Sequence, residues 1–486
     1  MHLYGDKYIN HMGIWFWLAG TAVIFFTVSR FFGARRLPKG AYVNKAGQRI
    51  KQVTCDARLA KFLRSAELSK NGQEIAADDP YLIQSGPYQE LVISQPSHIQ
   101  EFYKNDAKDH TKPQNRNFGV LFGRWAGAAV GMQYGDNWKR IRKHFDPVFS
   151  FHSVMQNKQR FDIEVQQLIE GLVENNSYEI DPTTAFKYFT FRALALHLYE
   201  DGFDDRVYWR MLELDEMHQN IVRVLSSPTL PDSGLYNWLP TSSGKTLANY
   251  LTQWKEFNRI TVDHARGGNW KCPVEVIYRA VDTTKELTEK EVTSTLDEIL
   301  FTNVEVSSKV LSTLFVNLAQ QPALQEELRA EIKDRNTKPS EEAKYFAKQD
   351  TLLNRVVMES MRVSPAFWFS LPQCTSVDKT IGGYLIPANT PVVIDTRRLN
   401  NASYTFGADT DVFDPSRFSK IPSEKLRCGF MKFGAGAASG RCLGKNAADV
   451  LFKMMVIGIL EKFSLSLPFP ALGKEGSSTN IKLTKL

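Results

Sequence analysis

The chain has 486 residues, of which 43% are hydrophobic, 23% charged and 12% aromatic. That composition excludes a disordered or collagen-like chain and leaves enough apolar material for a large core. The formal net charge is +7, but residues 1–40 hold five basic groups against one acidic, so the remainder carries only +3 and offers no footprint for nucleic acid. Five cysteines, at 55, 272, 374, 428 and 442, are odd in number and lack C-x-x-C spacing. They argue against a disulfide framework and against a zinc knuckle.

In chain order, the first predicted element is a membrane anchor. Gly13–Val28 (GIWFWLAGTAVIFFTV) is uncharged and strongly apolar. With Arg30 free to snorkel the stretch runs on to Phe32, about the length that a bilayer needs. A transmembrane helix is therefore expected over 13–32, after a short lumenal N-terminus at 1–12. Arg35, Arg36, Pro38 and Lys39 make 33–40 a basic hinge. More positive charge follows the span than precedes it, which puts residues 41–486 on the cytosolic side. A cleaved signal peptide is the alternative; the length, the aromatic content and the lack of an A-x-A site speak against it. The sequons at Asn175 and Asn401 would then stay unmodified.

Strand-like pieces are expected near 41–55, 82–95 and 380–396, where β-branched or alternating residues are punctuated by Pro and Gly. Apolar residues recur every three or four positions through 138–175, 185–225, 245–268 and 288–320, which predicts helices. The expected architecture is mainly α: one large helical domain with small β-sheets. Its longest helix opens on a Thr288-x-x-Glu291 capping box and stops before Pro322, about 32 residues or roughly 48 Å. An apolar stripe runs through Val292, Leu296, Ile299, Leu300, Val310, Leu311, Leu314 and Leu318. Asn303 and Ser307 interrupt it, with Glu305 between them. Polar groups in mid-stripe need partners: either an internal hydrogen-bonded network or a notch facing a ligand.

Phe433-Gly-Ala-Gly436 through Gly440-Arg441-Cys442-Leu-Gly444 is a glycine-rich loop that ends in cysteine and enters an amphipathic helix at Lys445–Leu460. Small residues permit close backbone approach to a flat ligand. A cysteine at a helix start is inclined towards thiolate, a soft ligand suited to iron. Upstream lie Glu359-x-x-Arg362, Phe413-Asp-Pro415-Ser-Arg417-Phe418 and Trp138-x-x-x-Arg142.

In this order and at these intervals, the motifs resemble those of the cytochrome P450 family, in its membrane-anchored microsomal form, over nearly the whole chain. The resemblance implies the P450 fold, heme as cofactor with Cys442 as axial thiolate, and Trp138 and Arg142 on a heme propionate. It implies Phe433 and Arg441 as further cofactor contacts, and a structural ion-pair network of Glu359, Arg362 and Arg417. It further implies a NADPH-cytochrome P450 reductase as partner and a single-pass location in the endoplasmic reticulum membrane.

Two departures from the family pattern stand out. The cysteine loop is two residues longer: Gly436 is six before the cysteine, Gly440 stands at the usual arginine position, and Arg441 directly precedes Cys442. In the long helix, Thr302-Asn303-Val304-Glu305-Val306-Ser307 keeps the acid but puts Val306 at the oxygen-activating threonine. The expectation is a proton relay through Glu305 and Ser307, with Asn303, four residues earlier, orienting water. This centre is similar to that of fungal secondary-metabolite P450s, including ones associated with diketopiperazine pathways.

The segments expected to overhang the heme are aromatic: Phe118, Phe122 and Trp125, then Phe367, Trp368, Phe369 and Leu371, with Val304 from the long helix. They imply an apolar or aromatic small-molecule substrate. Lys139, Arg140, Lys143, Lys425, Arg427, Lys432 and Lys445 form either a solvated face or a docking face for the reductase. The expected activity is a heme-thiolate monooxygenase performing hydroxylation, oxidative cyclisation or desaturation. A peroxide isomerase or dehydratase that needs no reductase, and a non-catalytic heme-binding protein, are the alternatives.

Overall fold

The computed structural model describes residues 39–55, 59–86, 88–113, 118–174, 178–226, 239–335, 337–436, 440–468 and 480–486. The expected anchor at 13–32, most of the hinge at 33–40 and the sequon at Asn175 lie outside these residues.

The N-terminal part holds three strands, β1 (Lys51–Cys55), β2 (Tyr81–Ser85) and β3 (Tyr88–Ile93), with a helix at Ser65–Ala76 between the first two. Helices α1 (Gly135–Phe145) and α2 (Lys158–Glu174) follow, then the short β4 (Glu179–Ile180). Next are α3 (Phe189–Tyr199), α4 (Asp205–Leu225), α5 (Ser242–Gly268) and α6 (Pro273–Asp282). The long helix α7 (Glu289–Ala319) leads to α8 (Pro322–Asp334) and α9 (Leu352–Val363). The C-terminal part holds β5 (Val392–Ile394), α10 (Lys445–Leu460), β6 (Phe463–Ser466) and β7 (Ile481–Lys485).

The largest sheet has the order β1-β2-β3-β5, with β1 parallel to β2, β2 antiparallel to β3, and β3 parallel to β5. Period-two alternation gives it two apolar faces. Leu82, Leu91, Ile93 and Ile394 enter one core, whereas Tyr81, Ile83, Val92 and Val393 enter another. A second sheet, β6-β7-β4, is antiparallel. The main core is helical, and α7 runs through it.

The capping box fixes the start of α7: the Glu291 backbone N–H donates to Thr288 Oγ1 at 3.2 Å, and the Thr288 N–H donates to Glu291 Oε2 at 2.8 Å. Pro322 is the first residue of α8 rather than the last obstacle of α7, in keeping with proline's tolerance at a helix start. Among the described residues, α7 is also the helix long and apolar enough to cross a membrane, yet its apolar side is packed inside the domain.

Candidate active site

The cysteine loop closes as a narrow hairpin. Gly434 bridges Arg441, and the Cys442 N–H donates to the Phe433 carbonyl at 2.9 Å. Cys442 stands just ahead of α10. Glycine is required at 434: φ is +80°, and a Cβ there would stand 2.0 Å from the Gly440 carbonyl oxygen. The Arg441 side chain turns back onto its own loop, with Nε donating to the Gly436 carbonyl at 2.7 Å.

Cys442 keeps accessible surface, yet burial is the largest influence on its thiol and pushes its pKa up. Open space beside Sγ is therefore internal. The Gly444 N–H pulls the thiol down, as expected at a helix start, and so do Arg142 and Lys445; the Glu298 carboxylate pushes it up. The helix-start effect is present, but desolvation outweighs it.

Arg142 stacks its guanidinium 5.4 Å from the Trp138 ring centroid, ion-pairs Asp146 at 2.5 Å and reaches the Arg441 carbonyl at 3.4 Å. Trp138 and Phe433 both pack against the main core. Two basic groups missed by the sequence reading lie nearby. His110 Nε2 is buried without a partner, and burial pulls this imidazole down to about 4. Lys112 is pulled down to about 8 by burial and is held up by Glu298.

These residues fit an iron porphyrin. No group of three or more His, Cys, Asp or Glu able to hold a metal lies among the described residues. A metal on Cys442 must therefore bring its other ligands with it. Arg142, Lys112 and the orphaned His110 nitrogen suit the porphyrin's carboxylates.

Behind the loop, Glu359 and Arg362 are fully buried and bidentate, at 2.7 Å for both bonds. Arg362 also donates to Asn401 Oδ1 at 2.9 Å and to the Asn400 and Val412 carbonyls. Glu359 accepts from the Asp414 N–H at 2.9 Å and from Arg417 Nε at 3.4 Å. The network ties α9 to the 400–417 segment.

The long helix sets the members of the expected relay on different faces. Glu298, Thr302, Glu305, Val306 and Lys309 keep accessible surface along one side of α7. Burial pushes the Glu298 carboxyl up and pulls the Lys309 ammonium down. Glu305 ion-pairs Lys187 at 3.1 Å. Ser307 is 2% exposed and lies two residues beyond Glu305, on the opposite, packed face. Asn303, one turn before it, is half-buried. The structure does not bring Ser307 to Glu305. The hydroxyl on the Glu305 side is Thr302, which the sequence reading passed over.

The pocket residues divide in the same way. Phe122, Phe367 and Trp368 keep accessible surface. Phe118, Trp125, Val304 and Phe369 are buried. Phe118 stacks on Phe62 and Phe122. Trp125 donates Nε1 to Asp297 Oδ2 at 3.1 Å. Val304 belongs to the main core, and Phe369 to the core on one face of the β1–β2–β3–β5 sheet.

On the cysteine side, Lys139, Lys143, Lys425, Arg427 and Lys445 are exposed. Arg140 is engaged by Glu291 at 2.5 Å and Lys432 by Asp449 at 3.6 Å.

Known proteins agree with this geometry. The family model described as cytochrome P450 matches residues 68–476. The chain is 48% identical over 471 residues to cytochrome P450 monooxygenase opdB of Penicillium oxalicum, covering 96% of this chain and 94% of that protein. It is 40% identical over 454 residues to cytochrome P450 monooxygenase apdB of Emericella nidulans, covering 89% and 88%. To cytochrome P450 monooxygenase lepD of Aspergillus flavus it is 34% identical over 476 residues, covering 96% and 92%. A glycine-rich loop that sets one cysteine just ahead of α10, and these likenesses over almost the full length, place the chain in the cytochrome P450 family of heme-thiolate monooxygenases.

Proposed function

We propose that this chain is a reductase-dependent monooxygenase of fungal secondary metabolism, acting on an apolar or aromatic small molecule. Hydroxylation, oxidative cyclisation and desaturation are all within its chemistry, and a diketopiperazine-type compound is the substrate proposed. The observation that carries the reading is an accessible Cys442 at the end of its glycine-rich loop, just ahead of α10, with an acid, Glu305, retained in α7. When bound there, heme supplies dioxygen activation, which a cysteine thiolate promotes by donating electron density.

The residues of the chain supply the rest. Arg142 and Lys112 neutralise and orient the porphyrin's carboxylates. Glu305, tethered to Lys187, is the proton source, and the Thr302 hydroxyl, three residues earlier on the same side, orders the water that conducts the proton. Thr302→Ala is expected to send a several-fold larger share of NADPH electrons into hydrogen peroxide, with heme content unchanged. Ser307→Ala is expected to leave that share at the wild-type value. Peroxide yield per NADPH oxidised checks both; the opposite pattern would restore Ser307 to the relay.

Val306, which cannot hydrogen-bond, favours one competing reading, the peroxide isomerase. The two part on cofactor demand. With a reductase, the monooxygenase consumes NADPH and oxygen together with substrate. An isomerase turns over a hydroperoxide with neither, and a binding protein turns over nothing. The exposed Lys139, Lys143, Lys425, Arg427 and Lys445 support docking of an acidic reductase.

Residues 13–32 are proposed to anchor the chain in the endoplasmic reticulum membrane with 41–486 in the cytosol. Deleting residues 1–36 is expected to move the protein from the membrane pellet to the soluble fraction with its heme retained. A glycan on Asn175 of the full-length chain would reverse this topology.

A further inference from the structure

The Glu359–Arg362 pair and the cysteine hairpin are joined through a side chain that the sequence motifs do not single out, Asn400. It is 0% exposed and follows the short helix Thr396–Leu399, where its N–H donates to the Thr396 carbonyl at 2.9 Å. Its own carbonyl accepts from Arg362 Nη1 at 3.3 Å. Its side-chain amide takes both backbone groups of Met431. The Met431 N–H donates to Asn400 Oδ1 at 2.9 Å, and Asn400 Nδ2 donates to the Met431 carbonyl at 3.0 Å. An asparagine amide presents one acceptor and one donor in a plane, and so pairs a peptide edge; aspartate or serine supplies half of that.

Met431 stands two residues before Phe433, whose carbonyl accepts the Cys442 N–H at 2.9 Å. A continuous path therefore runs from the buried pair to the cysteine: Arg362, Asn400, Met431, Phe433, Cys442. A second tether holds the same strand. Lys432 ion-pairs Asp449 of α10 at 3.6 Å, and Asp449 also takes Lys453 at 2.7 Å. The Lys432 end is a long contact to a partly exposed lysine, the kind of pair that contributes little. The two bonds of Asn400 are short and buried, and breaking them strands two peptide groups in the interior. The location of the strand thus falls mainly to Asn400.

We propose that Asn400 is a positioning residue for Cys442: by holding both backbone groups of Met431, it carries the rigidity of the Glu359–Arg362 pair into the hairpin and fixes the thiolate where an iron porphyrin meets it. The inference rests on the reading of Cys442 as the iron ligand. The neighbouring asparagine supplies the contrast. Asn401 accepts from the same Arg362 through Oδ1 at 2.9 Å, but its Nδ2 donates to the Arg397 carbonyl at 2.7 Å. The two residues share Arg362 and differ in the other partner, which for Asn400 is the entrance of the hairpin.

The test compares Asn400→Ala with Asn401→Ala in the full-length heme protein, well below the melting temperature of each. The CO-difference spectrum of the reduced protein and the hydrogen-exchange rate of the Cys442 amide are read together. Both variants are expected to melt below the wild type. Asn400→Ala is expected to move the larger part of its CO absorbance from the thiolate band to the shorter-wavelength band of a neutral ligand. Its Cys442 amide should exchange about tenfold faster, the scale of one lost hydrogen bond. Asn401→Ala should keep both quantities at their wild-type values. Asn400→Asp keeps the acceptor for the Met431 N–H and loses the donor, so it should fall between Asn400→Ala and the wild type. A full thiolate band with unchanged exchange in Asn400→Ala, or an equal loss in Asn401→Ala, overturns the proposal. So does an Asn400→Asp chain that fails to fold, since Asn400 would then serve the fold as a whole. A wild-type protein without the thiolate band sinks Cys442 as ligand; the amide exchange still reads the hold of Asn400 on the hairpin.

Discussion

Cys442→Ser is expected to abolish the long-wavelength absorption band of the reduced, CO-bound protein, while Cys428→Ser leaves it intact. A serine oxygen is a harder and less electron-donating ligand than a thiolate. The hairpin should survive the change, because the Gly434–Arg441 bridge and the Cys442 N–H bond to Phe433 are both backbone contacts. Loss of the band without loss of solubility is therefore the signature sought. Cys428 sits half-buried on a short helix of the cysteine side and has no part in the hairpin. A band that survives Cys442→Ser and vanishes with Cys428→Ser would reassign the ligand.

Substitutions in the Glu359–Arg362 pair should be the most damaging that leave the cavity untouched. Both side chains are 0% exposed, so removing one strands the other's charge in the interior, at about 3–5 kcal/mol. That is a large fraction of the roughly 5–15 kcal/mol that holds a typical domain together. Arg362→Lys should fail nearly as badly as Arg362→Ala, because lysine cannot reproduce a fork that meets Glu359, Asn401 and two carbonyls at once. The expected outcome is insoluble or heme-free protein, read by pigment content per polypeptide. A soluble, fully pigmented Arg362→Lys would contradict it. Arg417→Ala should be milder, since its bond to Glu359 is longer, at 3.4 Å, and its other partners are carbonyls near the surface.

Much of this was legible in the sequence because it is local. The capping box, the E-x-x-R pair and the glycines before Cys442 act within a few residues of themselves, so spacing alone discloses them. What was not legible depends on which neighbour a helix face meets. The stripe through Val292, Leu296, Ile299 and Val310 was read correctly as packed, and Ser307 is buried with it. A helix side that borders an internal cavity carries mixed polar residues, as Glu298, Thr302 and Lys309 do. In sequence it is indistinguishable from a side that meets solvent. Asp297 and Glu298 are adjacent acids, yet one is locked among Trp125, Tyr250 and His218 and the other keeps accessible surface beside Gly131. Only the packing of α4 and α5 over α7 decides between them. Phe369 and Val304 lie in buried apolar clusters, which the sequence alone did not assign.

The β3–β5 pairing constrains how the chain is born. Leu91 pairs with Val392, so the fourth strand leaves the ribosome roughly 300 residues after the third. At about 5–20 residues per second, that is a delay of roughly 15–60 s. Through that interval β3 has β2 on one side and an unfilled ladder on the other, an invitation to pairing with another nascent chain. The N-terminal sheet is thus the part of the molecule most dependent on chaperones during synthesis, and nascent chains stalled before residue 392 should be the ones recovered in aggregates.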